Sequence, residues 1–365
     1  MATIERIDIY PVAIPLRTPM VLASETISAA QNLIVRIGDD EGHWGWGESA
    51  SAPTMNGELL AGMTAAVRQR LAPALLGQDC DSLPGLEQRI DGAIRGNTGA
   101  KAAVAIALTD LLARRRGVPF HAVLGPRRQE RVPLIAMIGT KDFLAEAESA
   151  LAEGFTHFKI KVGRADVDAD VRLTQAVRAA IRPESHLSAD ANMGWSVAQA
   201  QAYLSAARPA RLAYLEQPVG DGDAEGFAAL ARADPTPLCL DEGLHGLADL
   251  KTYARDRAIA GAGLKALKFG PLSRVVAAID LMRAHDLVPV VASKIAETSI
   301  GSAASLHLAA LAHDAAWGVS LTHRYLAADV VDVPLPATGL ARISEAPGLG
   351  ITPNLGMIRA HMQPD

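Results

Sequence analysis

Cysteine is nearly missing from this chain. Only Cys80 and Cys239 occur, far apart in 365 residues, too few for a disulfide framework or a cysteine metal cluster. Such usage suits a reducing cytoplasm. A cationic surplus is also missing: the formal net charge is -5 and the pI near 6.1. Nucleic acid and anionic membrane surfaces are therefore not expected partners. The short basic runs, Arg114 to Arg116 and Arg127 with Arg128, read as solvated helix ends. No apolar run approaches the ~18 residues that a membrane span needs. The opening MATIERIDIYPVAIPL alternates like a strand and has no basic segment leading into an apolar one, so a signal peptide is not expected. No GxGxxG turn follows an early strand, which argues against a dinucleotide-binding sheet.

What remains is an ordinary globular composition, 49% hydrophobic and 21% charged, enough for two domains or one barrel with additions. Residues 1–125 read as α+β. Strands IERIDIYPVAIPL and NLIVRIGDDEGHWGWGE, the second broken by a Gly38–Gly42 turn, precede helical patterns near 56–76, 84–95 and 100–117. The last, AKAAVAIALTDLLARRRG, is apolar almost all round until Gly117, so it should be a buried helix. From 126 to 335 the texture becomes strand then helix. Apolar runs end near Ile138, Ile160, Ser188, Leu215, Leu240, Lys268, Val291 and Val319. Each spacing holds one amphipathic helix, and such regular βα units predict a closed parallel barrel. The tail, 336–365, is rich in Gly and Pro and is expected to return to the first domain.

Barrels of this kind place reactive groups at the carboxyl ends of their strands. Run two, FKIKVG, ends in Lys159 and Lys161, which share one strand face. Run three ends in LSADAN (Asp190, Asn192), run four in YLEQP (Glu216, Gln217), and run five in LCLDEG (Asp241, Glu242). Run six, GLKALKFG, holds Lys265 and Lys268. A single strand-end carboxylate usually caps a helix, and a single lysine usually reaches solvent. Three acids on consecutive strands, bracketed by lysines, are different. Their mutual repulsion calls for a hard divalent cation, and Mg²⁺ (or Mn²⁺ in its place) suits Asp190, Glu216 and Asp241 as oxygen ligands.

The ordered set KIK, DAN-xx-W, EQP, DEG and LK-xx-K resembles the enolase superfamily. More narrowly, it resembles the muconate lactonizing subgroup of the mandelate racemase/muconate lactonizing enzyme family. GWGE (45–48), SAPTMNGE (51–58), AKAA, LLG (123–125) and SIGSAASLH (299–307) fit as well. The resemblance implies a modified (β/α)7β TIM barrel with an α+β capping domain built from residues 1–125 and 336–365. It also implies a homo-oligomer, from dimer to octamer, acting on a small carboxylate. Lys161 and Lys265 would be general bases on opposite sides of the substrate's α-carbon, and Lys159 would lie near the substrate carboxylate and depress its neighbour's pKa. Lys268 would support the site or serve the fold.

The resemblance implies that the end of the eighth strand decides much of the substrate choice. The end of run eight, WGVSLTHRYLAADVV, lacks both the glutamate of the muconate cycloisomerases and the Asp-x-Asp pair of the dipeptide epimerases. His323 would touch substrate or be a hydrogen-bonded structural histidine. Glu297 fits the family's acid after run seven and would approach Lys265, and Lys294 would meet a second anionic group on the substrate. Met20, Val21, Leu22 and Met55 would form an apolar lid that excludes water. The expected activity is removal of a proton α to a carboxylate through an enediolate. A muconate-cycloisomerase-like isomerase leads. A racemase or epimerase of an amino-acid derivative, or a dehydratase, is the alternative, with a Schiff-base aldolase more distant.

Overall fold

The computed structural model describes residues 2–21, 26–139 and 142–363. The chain opens with an antiparallel meander, β1 (Ile4–Val21), β2 (Thr26–Asp39) and β3 (Trp44–Ala50). Helices α1 (Leu60–Ala66) and α2 (Ala72–Leu75) are joined by a π turn at Val67–Leu71, and α3 (Leu83–Ala93) follows. Next comes α4 (Thr98–Arg116), which Gly117 ends in the left-handed conformation. It is buried on nearly every side, as the sequence predicts, because its backbone lies directly against β3. The reason is the GWG of β3: a Cβ at Gly47 would sit inside the Ala103 carbonyl oxygen of α4, and one at Gly45 inside that of Ala107.

After α5 (Phe120–Leu124) and the short β4 (Arg131–Pro133), the chain winds β5 (Ile135–Ile138), α6 (Phe143–Ala152), β6 (His157–Lys161) and α7 (Val167–Ala180). It continues through β7 (His186–Asp190), α8 (Val197–Ala207), β8 (Leu215–Glu216), α9 (Ala224–Ala233), β9 (Leu238–Leu240) and α10 (Leu247–Arg255). The last units are β10 (Gly261–Leu264), α11 (Ala266–Phe269), α12 (Leu272–Ala284), β11 (Val288–Val291) and α13 (Ser299–Ala309). Strands β5 to β11 form one parallel sheet in chain order.

The eighth run is shortened to Val319 and Ser320, which close the ring. Ile135 N donates to Val319 O at 2.9 Å on one side, and Ser293 N to Ser320 O at 2.8 Å on the other. The fold is thus a TIM-type barrel with a capping domain. Run six differs from expectation: its strand stops at Leu264, and residues 266–269 coil into α11 before Gly270 reverses the chain at positive φ. Inside the barrel floor, Ile135, Tyr214, Cys239 and Val290 pack as an apolar layer. Both cysteines are free and buried. The tail pairs β12 (Leu340–Arg342) with β4, then lays α14 (Leu355–Ala360) beside β1, where Ala13 N donates to His361 O at 3.0 Å. Among the described residues no helix is long and apolar enough to cross a membrane.

Candidate active site

Register explains why the predicted residues converge. Lys161 pairs with Asp190 across β6 and β7, Asp190 with Glu216 across β7 and β8, and Glu216 with Cys239 across β8 and β9. Asp241 lies two residues beyond Cys239, and Lys265 four beyond Gly261, which itself pairs with Cys239. Even steps along a strand keep the same face, so the whole row points inward at the barrel mouth. Strands β6 and β10 stand four positions apart in a ring closed by an eighth segment. Lys161 and Lys265 therefore face each other across the mouth, and the three acids occupy the wall between them.

Each acid is paired. Lys159 donates to Glu216, Lys161 to Asp190 at 2.6 Å, and Lys265 to Asp241 at 2.5 Å. Lys268 reaches back from α11 to donate to Asp241 Oδ1 at 2.6 Å and to the Asp241 and Gly263 carbonyls at 2.7 and 3.0 Å. Burial weakens Asp241 as an acid, but Lys265 and Lys268 outweigh it and hold the carboxyl well below its usual range. Burial would lower Lys159 and Lys265, yet Glu216 lifts the first and Asp241 the second above the ordinary ammonium range. At Lys268 burial lowers the ammonium, and the charge of Lys265 adds to it against the opposing pull of Asp241. In the protein alone, adjacent carboxylates outweigh adjacent ammoniums at both Lys159 and Lys265.

The wall of the inner cavity includes Lys159, Lys161, Asp190, Asn192, Glu216, Asp241, Glu242, Lys265, Lys294 and Met55. Asn192, at positive φ, presents Oδ1 to Lys161 at 3.1 Å and Nδ2 to Glu242 at 2.8 Å. Sequence reading noted Glu242 only as a strand-end acid. Burial, then the charges of Asp241 and Asp190, pushes its carboxyl up to about 7, and its buried Oε2 has no hydrogen-bond partner among the described residues. Gln217 was also passed over as a positioning residue. Its Oε1 accepts from Asp241 N and Gly243 N at 2.9 and 3.1 Å and so braces the neighbouring strand end. The EQP motif signals this only once the register is known.

Other expected residues fall outside the cavity. His323 sits in a 3-10 turn (His323–Tyr325) and lines a separate pocket with Arg17, Glu153 and Arg324; its Nε2 lies 3.0 Å from Leu335 O. Glu297 accepts from Ala50 N at 3.3 Å in the seam with β3, and the charge of Lys265 also reaches its carboxyl. Met20 is buried in the β1–β2 hairpin opposite Ile27 and does not line the cavity. Leu22 and the side chain of Val21 lie outside the described residues.

Asp190, Glu216 and Asp241 are buried hard-oxygen donors from consecutive strand ends on one wall. Burial pushes the Glu216 carboxyl up and Asp190 and Asp241 add to it, while Lys159 opposes. A divalent cation would relieve this concentration of negative charge, so the donor set fits Mg²⁺. A second acidic cluster, Asp39, Glu41 and His43, stands at the β2–β3 hairpin. There Arg115 already binds both carboxylates, which makes the cluster a surface ion-pair knot.

Residues 142–356 match the family profile described as enolase C-terminal domain-like. Residues 4–125 match the N-terminal domain of mandelate racemase / muconate lactonizing enzyme. The chain belongs to this enolase-superfamily family. It is an enzyme of that superfamily, whose members use Mg²⁺. Its relatives carry different activities. The chain is 31% identical over 309 residues, 84% of each protein, to the L-Ala-D/L-Glu epimerase of Bacillus subtilis. The crystal structure of 2-chloromuconate cycloisomerase from Rhodococcus opacus 1CP matches 99% of this chain and 100% of its own at a TM-score of 0.94 and 28% identity. A dipeptide epimerase from Cytophaga hutchinsonii, complexed with Mg and the dipeptide D-Ala-L-Val, gives a TM-score of 0.92 at 26% identity over 98% of both chains.

Proposed function

We propose that this enzyme transfers a proton at the carbon α to a carboxylate, racemising or epimerising its substrate. The observation that carries this reading is the diametric placement of Lys161 and Lys265 at the mouth. A substrate carbon held between them meets an ammonium or amine on each face. One lysine removes the α-proton and the other returns a proton to the opposite side, which inverts the centre. Bound at Asp190, Glu216 and Asp241, Mg²⁺ would neutralise negative charge and act as a Lewis acid toward the substrate carboxylate. Lys159 holds a positive charge beside the same wall and so favours an anionic substrate. The burial of these side chains strengthens every one of these interactions.

Cycloisomerisation is the second reading, supported by whole-chain likeness to 2-chloromuconate cycloisomerase. That reaction needs one of the two lysines, whereas inversion at the α-carbon uses both. Run eight places Ser320, not an acid, on the cavity wall, so a free ammonium group on the substrate finds no counter-charge there. N-acylated amino acids and other carboxylates without a free amine fit better.

A carboxylate panel in D₂O with Mg²⁺ tests the proposal by NMR. Deuterium should enter the α-position of at least one acid, with loss of optical purity, and EDTA should stop it. Exchange that continues in EDTA, with borohydride trapping of substrate on a lysine, would replace this reading with a Schiff-base mechanism. Product formation by ring closure, without α-inversion, would favour the cycloisomerase.

A further inference from the structure

A second inward-facing layer lies beneath the acids and lysines of the mouth. Lys159 pairs with Ser188 across β6 and β7. Asp190 pairs with Glu216 across β7 and β8, so continuing that register two residues back sets Tyr214 beside Ser188. Even steps keep one face, so Lys159, Ser188 and Tyr214 point inward one layer below Lys161, Asp190 and Glu216. Ser188 is small and leaves room for the lysine stem to cross toward β8, where Lys159 meets Glu216.

Tyr214 is itself held in place. Its ring stacks on Trp317, with centroids 4.3 Å apart and planes at 22°. Trp317 can occupy that position because β10 begins with Gly261, where a Cβ would stand 2.4 Å from Trp317 Cζ3. Tyr214 is buried, and its hydroxyl oxygen has no hydrogen-bond partner among the described residues. A buried tyrosine usually finds one, so this position uses the ring rather than the hydroxyl. Lys159 Nζ stands over that ring, 5.5 Å from its centroid. A buried ammonium has three N–H donors to satisfy, and Glu216 Oε2 takes one. The negative face of an aromatic ring attracts such a cation most strongly where water is excluded.

We infer that Tyr214 is a positioning residue. Its ring, backed by Trp317, holds the Lys159 ammonium against Glu216 and so fixes the positive charge that the substrate carboxylate meets. The part played by the substrate rests on the α-proton-transfer reading; the contact between ring and ammonium does not.

NMR on protein carrying ε-¹³C lysine reads that contact directly. The ε-methylene signal of Lys159, assigned by its loss in Lys159→Gln, should lie upfield of the other lysines through the ring current. It should stay there in Tyr214→Phe and return to the ordinary lysine position in Tyr214→Leu. Tyr214→Met serves as the ring-less variant if Tyr214→Leu gives no soluble protein. With an acid that exchanges its α-proton, Tyr214→Phe should keep the wild-type KM within about twofold. Tyr214→Leu should raise KM about three- to tenfold, with a smaller change in kcat. If no acid exchanges, the proposed reaction fails, and the lysine signal still decides the role of Tyr214. A Lys159 signal at the ordinary position in wild type, or one that Tyr214→Leu and Tyr214→Met leave unmoved, would overturn the inference. So would equal KM values in the phenylalanine and leucine variants.

Discussion

Replacing Glu297 with glutamine probes the seam between cap and barrel. Glu297 follows β11 and accepts from Ala50 N, while Glu48 of β3 accepts from Asn32 Nδ2, Thr298 N, Thr298 Oγ1 and Gly301 N at 2.6 to 2.9 Å. Both acids are buried. Burial and then the Glu48 charge push Glu297 up to about 8, and burial pushes Glu48 up to about 7, from an ordinary value of 4.5. Between pH 4.5 and 8 the folded protein keeps a proton on Glu297 that the unfolded chain has released. Stability is therefore full at the acid end of that window and falls as pH rises, by at most about 1.4 kcal/mol per pH unit for one group. Across the window this amounts to a few kcal/mol.

Glutamine keeps an acceptor for Ala50 N, cannot ionise, and removes the repulsion on Glu48. Urea unfolding of Glu297→Gln should match wild type within about 1 kcal/mol at pH 5 and exceed it by roughly 2–4 kcal/mol at pH 8.5. Parallel stability curves for the two proteins over pH 5 to 8.5 would refute the reasoning.

Other outcomes follow from the same contacts. Gly47→Ala drives a methyl into the α4 backbone and should cost about 3 kcal/mol or more, seen as loss of soluble protein or a large fall in Tm; an unchanged Tm would contradict the close approach. Calorimetric titration with Mg²⁺ should show one site per chain that Glu216→Gln weakens at least tenfold, and Mg²⁺ should raise the wild-type Tm; equal affinity in the variant would move the site elsewhere. Asn192→Ala removes the acceptor beside Lys161 and should lower kcat about tenfold with little change in Tm. An unchanged kcat would show that Lys161 is held without it.

Most of the barrel was legible because its signal is local. Each strand-end motif, from KIK to DEG, carries its chemistry within a few residues of an apolar run, and the register simply brings these ends into one row. What escaped reading depends on distance in sequence. Glu48 and Thr298 meet across 250 positions, so GWGE looked like a strand ending rather than a clasp on the barrel. Lys268 could not be assigned because the strand was expected to run through it; α11 swings it back onto Asp241 as a second cation. His323 was ambiguous for a similar reason, since a one-turn helix decides which cavity it faces. Met20 followed its hairpin rather than the mouth.

The central claim is that two lysines serve two faces of one carbon. With both pure antipodes of an exchanging acid in D₂O, Lys161→Ala should abolish α-proton exchange of one antipode and spare the other. Lys265→Ala should show the mirror pattern, and the double variant should exchange neither. Loss of exchange confined to one lysine for both antipodes, or exchange persisting in the double variant, would contradict the account.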